Sequence, residues 1–278
     1  MSDAYDLDSG PDPADYAADA PDPTVQLGAD AGAVASDVTD AVVHAVGIGP
    51  GNREYLVPRA ERAIREADVI VGFETVVEFV DDLITGDTLT CGYRDEAEAL
   101  EAFGERVAAG EKGTAVLMGD PNHSGYQFVG KVQQAVDAGV ADEGYAGTDE
   151  DVAVRVEPGI SSLQVAASRA RTPMEDTTFV TLHKSGSLDD DLAKLHEDVG
   201  ERNLLVLPRP FDWMPGDIAA DLLDHGGDPD ATALVLERLT HEDESVTETT
   251  LGDLAEEAGG DGREDTRFSD LSVLAVRN

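Results

Sequence analysis

Residues 41–51 read AVVHAVGIGPG, and this stretch decides how the fold is interpreted. A short apolar run that stops at a glycine is typical of a strand buried inside a sheet. The glycines at positions 47, 49 and 51 allow a tight turn and a close approach of the backbone to a ligand. We therefore predict a buried strand over residues 41–47, followed by a turn that is suited to ligand binding.

Strand-like and helix-like segments alternate on the C-terminal side of this turn. The apolar patterns predict further strands at 69–71, 114–118, 152–156, 178–183, 203–207, 232–237 and 271–276. They predict helices at 56–67, 95–109, 124–137, 161–170, 188–197, 216–224 and 250–257. Such alternation indicates an α/β fold with mostly parallel sheets, to which residues 245–249 would add an antiparallel strand.

The chain divides into a tail and two α/β halves. Residues 1–40 contain ten Asp and no Lys or Arg, and they lack a sustained apolar period. Such a segment buries too little apolar surface to offset its ordering entropy, so we predict a disordered acidic tail; a partner-binding arm is the alternative. We predict one α/β domain over 41–157 and a second over 158–278, with acidic surface loops at 139–151 and 258–266.

The formal net charge of −40 is the most unusual property of the composition. Self-repulsion of this size destabilises a compact state at low salt, whereas at molar salt the Debye length shrinks to roughly 3 Å. The charge therefore predicts a protein adapted to a salt-rich cytosol; a surface for cations or basic proteins is the alternative. Nucleic-acid binding is not expected, because no Lys/Arg stripe is present to contact phosphates.

The cysteine count and the hydropathy limit the compartment. A single cysteine, Cys91, excludes a disulfide framework and a cysteine-rich metal site, which favours the reducing cytoplasm. No apolar run approaches the roughly 18–20 residues that span a bilayer, so no membrane association is expected. The histidines show no ligand spacing such as H-x-x-x-H, so we predict no metal site.

The first glycine loop does not fit a nicotinamide-binding fingerprint. Counting G-x-G-x-x-G from Gly47 places Asn52 at the third glycine, and counting from Gly49 places Glu54 there. A nicotinamide cofactor is therefore not predicted.

Three later motifs carry polar groups at positions where a ligand could bind. Gly119-Asp120-Pro121 follows a predicted strand, and the carboxyl ends of parallel strands are where ligands bind in open sheets. Residues 157–164 read EPGISSLQ, in which Ser161 and Ser162 either cap a helix or contact a polar ligand at its start. Residues 179–184 read FVTLHK, which places His183 at the end of a predicted strand as a structural or a substrate-site residue.

Taken in order, these motifs resemble the tetrapyrrole (corrin/porphyrin) methylase family. That family shows V-G-x-G-P-G, here 46–51, then G-D-P, here 119–121, then P-G-I-(S/T)-(S/A), here 158–162. The resemblance covers about residues 42–276. Residues 160–164 and 181–183 look like the branch that methylates cobalt-precorrin-7 at carbon 5, although Thr181 replaces the Ser of its S-L-H-G-R segment, and Lys184-Ser185 replace its Gly-Arg.

The resemblance implies a two-domain, class III methyltransferase fold with S-adenosylmethionine in an intervening cleft. It implies a corrinoid substrate, a homodimer, and a separate chain for any methylation and decarboxylation at carbon 15. The cofactor-binding residues that it implies are Pro50, Gly119, Asp120, His123, Ser161, Ser162, Leu207 and Leu239. The sulfonium already activates the methyl group, so the protein's task is alignment, with His183 or Tyr126 as the candidate base and no catalytic metal.

Other interpretations of the same motifs stay open. The nearest are a sister methylase that acts at another ring carbon, and a diphthine-synthase-like enzyme that methylates a modified histidine on a translation factor. A nucleotide-binding regulatory module and a non-catalytic corrinoid carrier belong to different functional classes. Cofactor binding together with methyl transfer would distinguish the methylases from the regulatory module and from the carrier.

The net charge generates a first prediction, which concerns salt. We expect the far-UV circular dichroism of the protein to reach its full helical and strand signal only at molar KCl, because screening removes the repulsion among the 59 carboxylates. A full circular-dichroism signal in dilute buffer that does not change on addition of KCl would contradict the hypothesis of adaptation to high salt.

Overall fold

The computed structural model describes residues 42–92, 94–143, 152–210, 212–259 and 266–278. The chain divides into two compact units, which among these residues are 42–160 and 161–278. The predicted tail at 1–40 lies outside the described residues, as do parts of the predicted loops at 139–151 and 258–266. No helix in the described ranges is both long and apolar enough to cross a membrane.

The first unit is built around a five-stranded sheet in which every pairing is parallel. Its strand order is β3-β2-β4-β1-β5. Its strands are β1 (Val42–Gly47), β2 (Val69–Phe73), β3 (Asp87–Cys91), β4 (Gly113–Leu117) and β5 (Ala153–Glu157). Its helices are α1 (Pro58–Glu66), α2 (Glu74–Glu78), α3 (Glu96–Ala108) and α4 (Tyr126–Glu143).

Helices cover both faces of this sheet, which explains why its central strands are apolar without alternation. Along β2, Val69 and Val71 pack into a cluster with residues of α3 and α4, such as Phe103. Ile70, which points to the other face, packs with residues of α1 and α2, such as Ile64. Strands that are buried on both faces are typical of parallel sheets.

Strand β3 and the short helix α2 were not predicted from the sequence. The residues of β3 read DTLTC. Three of the five are exposed, because the strand forms one edge of the sheet. A polar edge strand of this kind lacks the apolar run by which its neighbours were found.

The second unit contains a mixed sheet with the order β6-β7-β10-β8-β9. Only β6 and β7 pair in parallel; the other three pairings are antiparallel. Its strands are β6 (Thr177–Thr181), β7 (Asn203–Leu207), β8 (Thr232–Glu237), β9 (Ser245–Thr250) and β10 (Ser272–Arg277). Its helices are α5 (Ser162–Ala170), α6 (Asp189–Asp198), α7 (Pro215–Asp224) and α8 (Leu251–Ala255).

The expectation of α/β architecture with mostly parallel sheets is therefore met fully by the first unit. In the second unit the predicted antiparallel strand at 245–249 is confirmed as β9. The last strand, β10, inserts between β7 and β8 and runs opposite to both, so this sheet is mainly antiparallel. Pairing partners so distant in sequence cannot be deduced from local patterns.

Candidate functional site

Three motif loops of the first unit leave the same edge of its sheet. Strands β4, β1 and β5 are neighbours and run parallel, so their carboxyl ends lie side by side. The loop after β1 begins beyond Gly47, the loop after β4 contains Gly119, and the loop after β5 contains Gly159. The three sequence motifs of this unit are thus assembled at the edge where parallel sheets bind ligands.

Glycine backbones contact one another directly at this edge. The amide of Gly49 donates to the Gly119 carbonyl over 3.2 Å, and the amide of Gly119 donates to the Gly49 carbonyl over 2.8 Å. A Cβ atom on Gly47 or on Gly159 would overlap the carbonyl oxygen of Gly119. Pro50, in the same loop as Gly49, is buried. No side chain fits between these backbones, and a ligand at this edge would therefore meet main-chain atoms.

Asp120 and His123 lie in the turn that follows β4. The Asp120 carboxylate is 7% exposed, and its Oδ1 accepts from the Asn122 amide at 2.9 Å and from the Asn122 side chain at 2.8 Å. Residues 121–125 form one π-helical turn, a feature that occurs often at functional sites. The buried Nδ1 of His123 has no hydrogen-bond partner within the described part of the chain. Tyr126 begins α4 and is half-buried.

An ion pair between a buried glutamate and an exposed arginine lies at the end of β5, immediately before the third loop. Glu157 is 5% exposed, and its Oε2 lies 2.5 Å from Nε of Arg59. Its Oε1 lies 3.4 Å from Nδ1 of His44. Burial lowers the pKa of His44 in spite of the attraction of Glu157. This pair was not predicted from the sequence, although a glutamate at the end of an apolar strand is a visible signal.

In the second unit, Ser161 caps helix α5. Its Oγ accepts from the Leu163 amide at 3.1 Å, and its own amide donates to Oε1 of Gln164 at 2.9 Å. This reciprocal arrangement is a capping box, so the capping interpretation of the sequence is confirmed. Ser161 is buried, whereas Ser162, the first helical residue, is half-buried.

The pairing register brings three predicted residues to one edge of the second sheet. Thr181 pairs with Leu207 at the carboxyl end of β6 and β7, and His183 follows two residues later. At the same edge Glu237 pairs with Ser272, because β10 runs opposite to β7 and β8. Leu239 follows Glu237 by two residues, so His183, Leu207 and Leu239 share this edge. Strand β6 ends at Thr181, which corrects the prediction that it continues to His183.

The environment of His183 keeps its imidazole neutral. Burial lowers the pKa of His183, while the nearby carboxylate of Asp270 and the carbonyl of Pro208 act in the opposite direction. Asp270 is 9% exposed, and its Oδ2 has no hydrogen-bond partner among the described residues. A neutral imidazole can accept a proton, and Asp270 would favour the charged form once it is made. Asp270 gave no signal in the sequence because it lies 87 residues away along the chain.

Leu239 is held in a strained turn. The residues on either side of it, Arg238 and Thr240, have φ values of +50° and +71°. Positive φ at non-glycine residues costs free energy and tends to cluster at functional sites. The Thr240 amide donates to Oε2 of Glu244 at 2.7 Å, and Arg169 Nε donates to Oε1 of the same carboxylate at 2.7 Å. This contact lowers the pKa of Glu244 and keeps it charged.

The candidate residues divide equally between the two units. The first unit carries Pro50, Gly119, Asp120, His123 and Tyr126. The second unit carries Ser161, Ser162, His183, Leu207 and Leu239.

The chain is similar to known proteins along most of its length. The model of the family of tetrapyrrole (corrin/porphyrin) methylases matches residues 42–255. A probable cobalt-precorrin-7 C(5)-methyltransferase of Methanocaldococcus jannaschii is 29% identical over 235 residues, which are 84% of this chain and 96% of the relative. An S-adenosyl-L-methionine-dependent uroporphyrinogen III methyltransferase of Methanosarcina barkeri is 28% identical over 230 residues, which are 77% of this chain and 84% of the relative.

A solved structure shares the fold. The uroporphyrin-III C-methyl transferase of Thermus thermophilus, in complex with S-adenyl homocysteine, is similar with a TM-score of 0.59 and 24% identity. The match covers 84% of this chain and 96% of that chain.

The glycine contact generates a second prediction. We expect Gly159→Ala to lower the free energy of unfolding by about 1–3 kcal/mol, because the new methyl group collides with the Gly119 carbonyl. Urea denaturation in molar KCl measures the change, with the adjacent exposed Pro158→Ala as the control. A Gly159→Ala variant as stable as the control would contradict this prediction, because the loops could then move apart without a loss in the free energy of unfolding.

The environment of His183 generates a third prediction. A histidine with a lowered pKa in the folded state stabilises the fold above its unfolded pKa of about 6.5, and this contribution is lost as the pH falls below that value. We expect the wild type to lose more stability than His183→Gln when the pH is reduced from 8 to 5.5, measured by urea denaturation in molar KCl. Equal losses in both proteins would mean that His183 is not the titrating group.

Proposed function

The chain belongs to the tetrapyrrole (corrin/porphyrin) methylase family, and we propose that it transfers a methyl group from S-adenosylmethionine to carbon 5 of cobalt-precorrin-7. The observation that carries the proposal is its similarity to the Methanocaldococcus relative, which extends over 84% of this chain and 96% of that protein. The similarity therefore extends over both units of the chain.

The residues at the edge of the first sheet suit this cofactor. The glycine contact leaves backbone atoms where a side chain would otherwise stand, and His123 has a buried nitrogen without a partner in the described chain. We assign Pro50, Gly119, Asp120 and His123 to cofactor binding in this unit. Asp120, whose position is fixed by Asn122, is assigned to the cationic end of the cofactor.

The second unit would supply the remaining cofactor contacts. Ser161 and Ser162 lie at the start of α5, where the positive end of the helix dipole favours polar groups of opposite partial charge. Leu207 and Leu239 present apolar side chains at the edge of the second sheet, and the strained turn around Leu239 fixes its position. We assign all four to cofactor binding.

When bound, S-adenosylmethionine supplies a methyl group that its sulfonium has already activated. The chain must then hold the ring carbon in line with that methyl group and exclude water. His183 is the favoured base for a proton released from the substrate, because burial keeps it neutral and Asp270 would stabilise its protonated form. Tyr126 is the second candidate base.

A different ring carbon is the second candidate function. The uroporphyrinogen III methyltransferase of Methanosarcina barkeri is 28% identical, almost as similar as the precorrin-7 relative. A methyl acceptor other than a tetrapyrrole, as in the diphthine-synthase-like alternative, is the third. Substrate tests separate these candidates.

Assembly and location complete the proposal. We propose a cytoplasmic homodimer that acts on a corrinoid and works beside a separate carbon-15 enzyme. The buried, unpaired thiol of Cys91 is consistent with a reducing compartment.

The fourth prediction tests this function directly. We expect calorimetric titration in molar KCl to give saturable, one-to-one binding of S-adenosylmethionine and of its demethylated product. With cobalt-precorrin-7, mass spectrometry should detect a product heavier by one methylene unit. Asp120→Asn should weaken cofactor binding about 10–100-fold, because it removes one charge-assisted contact while its amide oxygen can still accept from Asn122.

The exposed Glu101→Gln on α3 is the matched control for the loss of a carboxylate. Methylation of uroporphyrinogen III but not of cobalt-precorrin-7 would move the assignment to another ring carbon. Absence of cofactor binding by a demonstrably folded protein would overturn the proposal.

A further inference from the structure

Two histidines that the sequence analysis set aside lie together with an aspartate in the second unit. His196 is in the last turn of α6, and His225 is the residue that ends α7. Asp221 lies four residues before His225, so both share one face of α7. The spacing D-x-x-x-H was visible in the sequence, but its third member is 25 residues away.

The three side chains are already close to one another. Nε2 of His196 donates to Oδ2 of Asp221 at 2.7 Å, and Nδ1 of His225 lies 3.5 Å from Oδ1 of the same carboxylate. Nδ1 of His225 also donates to the Asp221 carbonyl at 2.8 Å. The two imidazole rings stack with centroids 3.5 Å apart and an angle of 7° between their planes.

We propose that His196, Asp221 and His225 form a binding site for one divalent transition-metal ion. One ligand atom from each residue lies within 4.8 Å of the other two. Around a tetrahedral zinc ion the ligand atoms lie about 3.3 Å apart, so no pair of these atoms needs to approach by more than about 1.5 Å. Small side-chain rotations at helix ends accomplish this, and the proton that each imidazole now donates to oxygen shifts to its other ring nitrogen, so that the first nitrogen can bind the ion.

The donor set selects the class of ion. Two imidazole nitrogens and one carboxylate oxygen suit Zn²⁺, Co²⁺, Ni²⁺ or Cu²⁺, whereas Mg²⁺ and Ca²⁺ prefer oxygen ligands alone. The side chains of His196, Asp221 and His225 are 25%, 18% and 44% exposed, so an ion can enter from solvent and keep water as a further ligand.

The surrounding charges favour a cation at this position. Both histidines lie at helix C-termini, where the unpaired carbonyl groups carry partial negative charge. The net charge of −40 also raises the concentration of cations near the surface.

This site is at the opposite edge of the second sheet from His183. Helix α6 leads into the start of β7, and α7 leads into the start of β8, so both C-termini face the edge where these strands begin. Strands β7 and β8 run in the same direction, since both are antiparallel to β10. His183, Leu207 and Leu239 lie at the edge where the strands end. The ion would therefore clamp α6 to α7, away from the candidate cofactor residues.

The fifth prediction is tested with Zn²⁺ alone as the probe. The full-length protein, stripped of metal by a chelator, is titrated with Zn²⁺ in molar KCl against a colorimetric competitor. We expect one ion per chain, and we expect His196→Gln and His225→Gln each to weaken binding at least about 10-fold, since even partners that only orient ligands contribute about 10–100-fold. The exposed Asp224→Asn on the same helix should leave the affinity unchanged.

A second readout guards against misfolded variants. Zn²⁺ should raise the thermal unfolding midpoint of the wild type and of Asp224→Asn, but not that of His225→Gln, whose exposed position tolerates substitution. Zinc binding of equal affinity in the wild type and in a His196→Gln/His225→Gln double variant would overturn the proposal, because the ion would then be held by other acidic groups.

Discussion

The direct contact of glycine backbones at 47, 119 and 159 is the constraint on which the first unit depends. Because no side chain separates these loops, β4, β1 and β5 must lie adjacent and in register, with β5 at the edge of the sheet and β4 and β1 inside it. The two inner strands, β4 and β1, are buried on both faces, which requires their unbroken apolar runs. The motif that suggested ligand binding is thus also what fixes the strand order. Any ligand at this edge is recognised mainly by backbone geometry, with a few side chains such as Asp120 placed beside it.

Much of the fold could be predicted from the sequence because local patterns encode it. Apolar runs located the strands that are buried on both faces, and EPGISSLQ located the start of α5, whose capping box is confirmed. The failures have a common physical cause. Strand β3 is a polar edge strand, and the place of β10 between β7 and β8 depends on pairing between residues far apart in sequence.

The same distinction applies to the candidate site. Sequence motifs identified the residues within loops, such as Asp120 and His183. They did not identify the residues that act on those loops from elsewhere in the fold. Glu244 holds the strained turn at Leu239, and Asp270 faces His183 across a gap of 87 residues. Tertiary contacts determine which residues play such a positioning role. In the sequence each of them is only a charged residue in an ordinary loop.

The two histidine groups of the second unit show how one sheet supports two different chemistries. At the edge where β6 and β7 end, His183 is half-buried and desolvation lowers its pKa, so the imidazole is available as a base. At the opposite edge His196 and His225 are partly exposed and share a carboxylate at two helix C-termini, an arrangement that favours a bound cation. The residue type is the same, and the difference comes from burial and from the direction of the neighbouring helices. In a protein with so much negative charge, partial burial is what lowers the pKa of His183, and this desolvation is therefore as important to the proposed chemistry as the histidine itself.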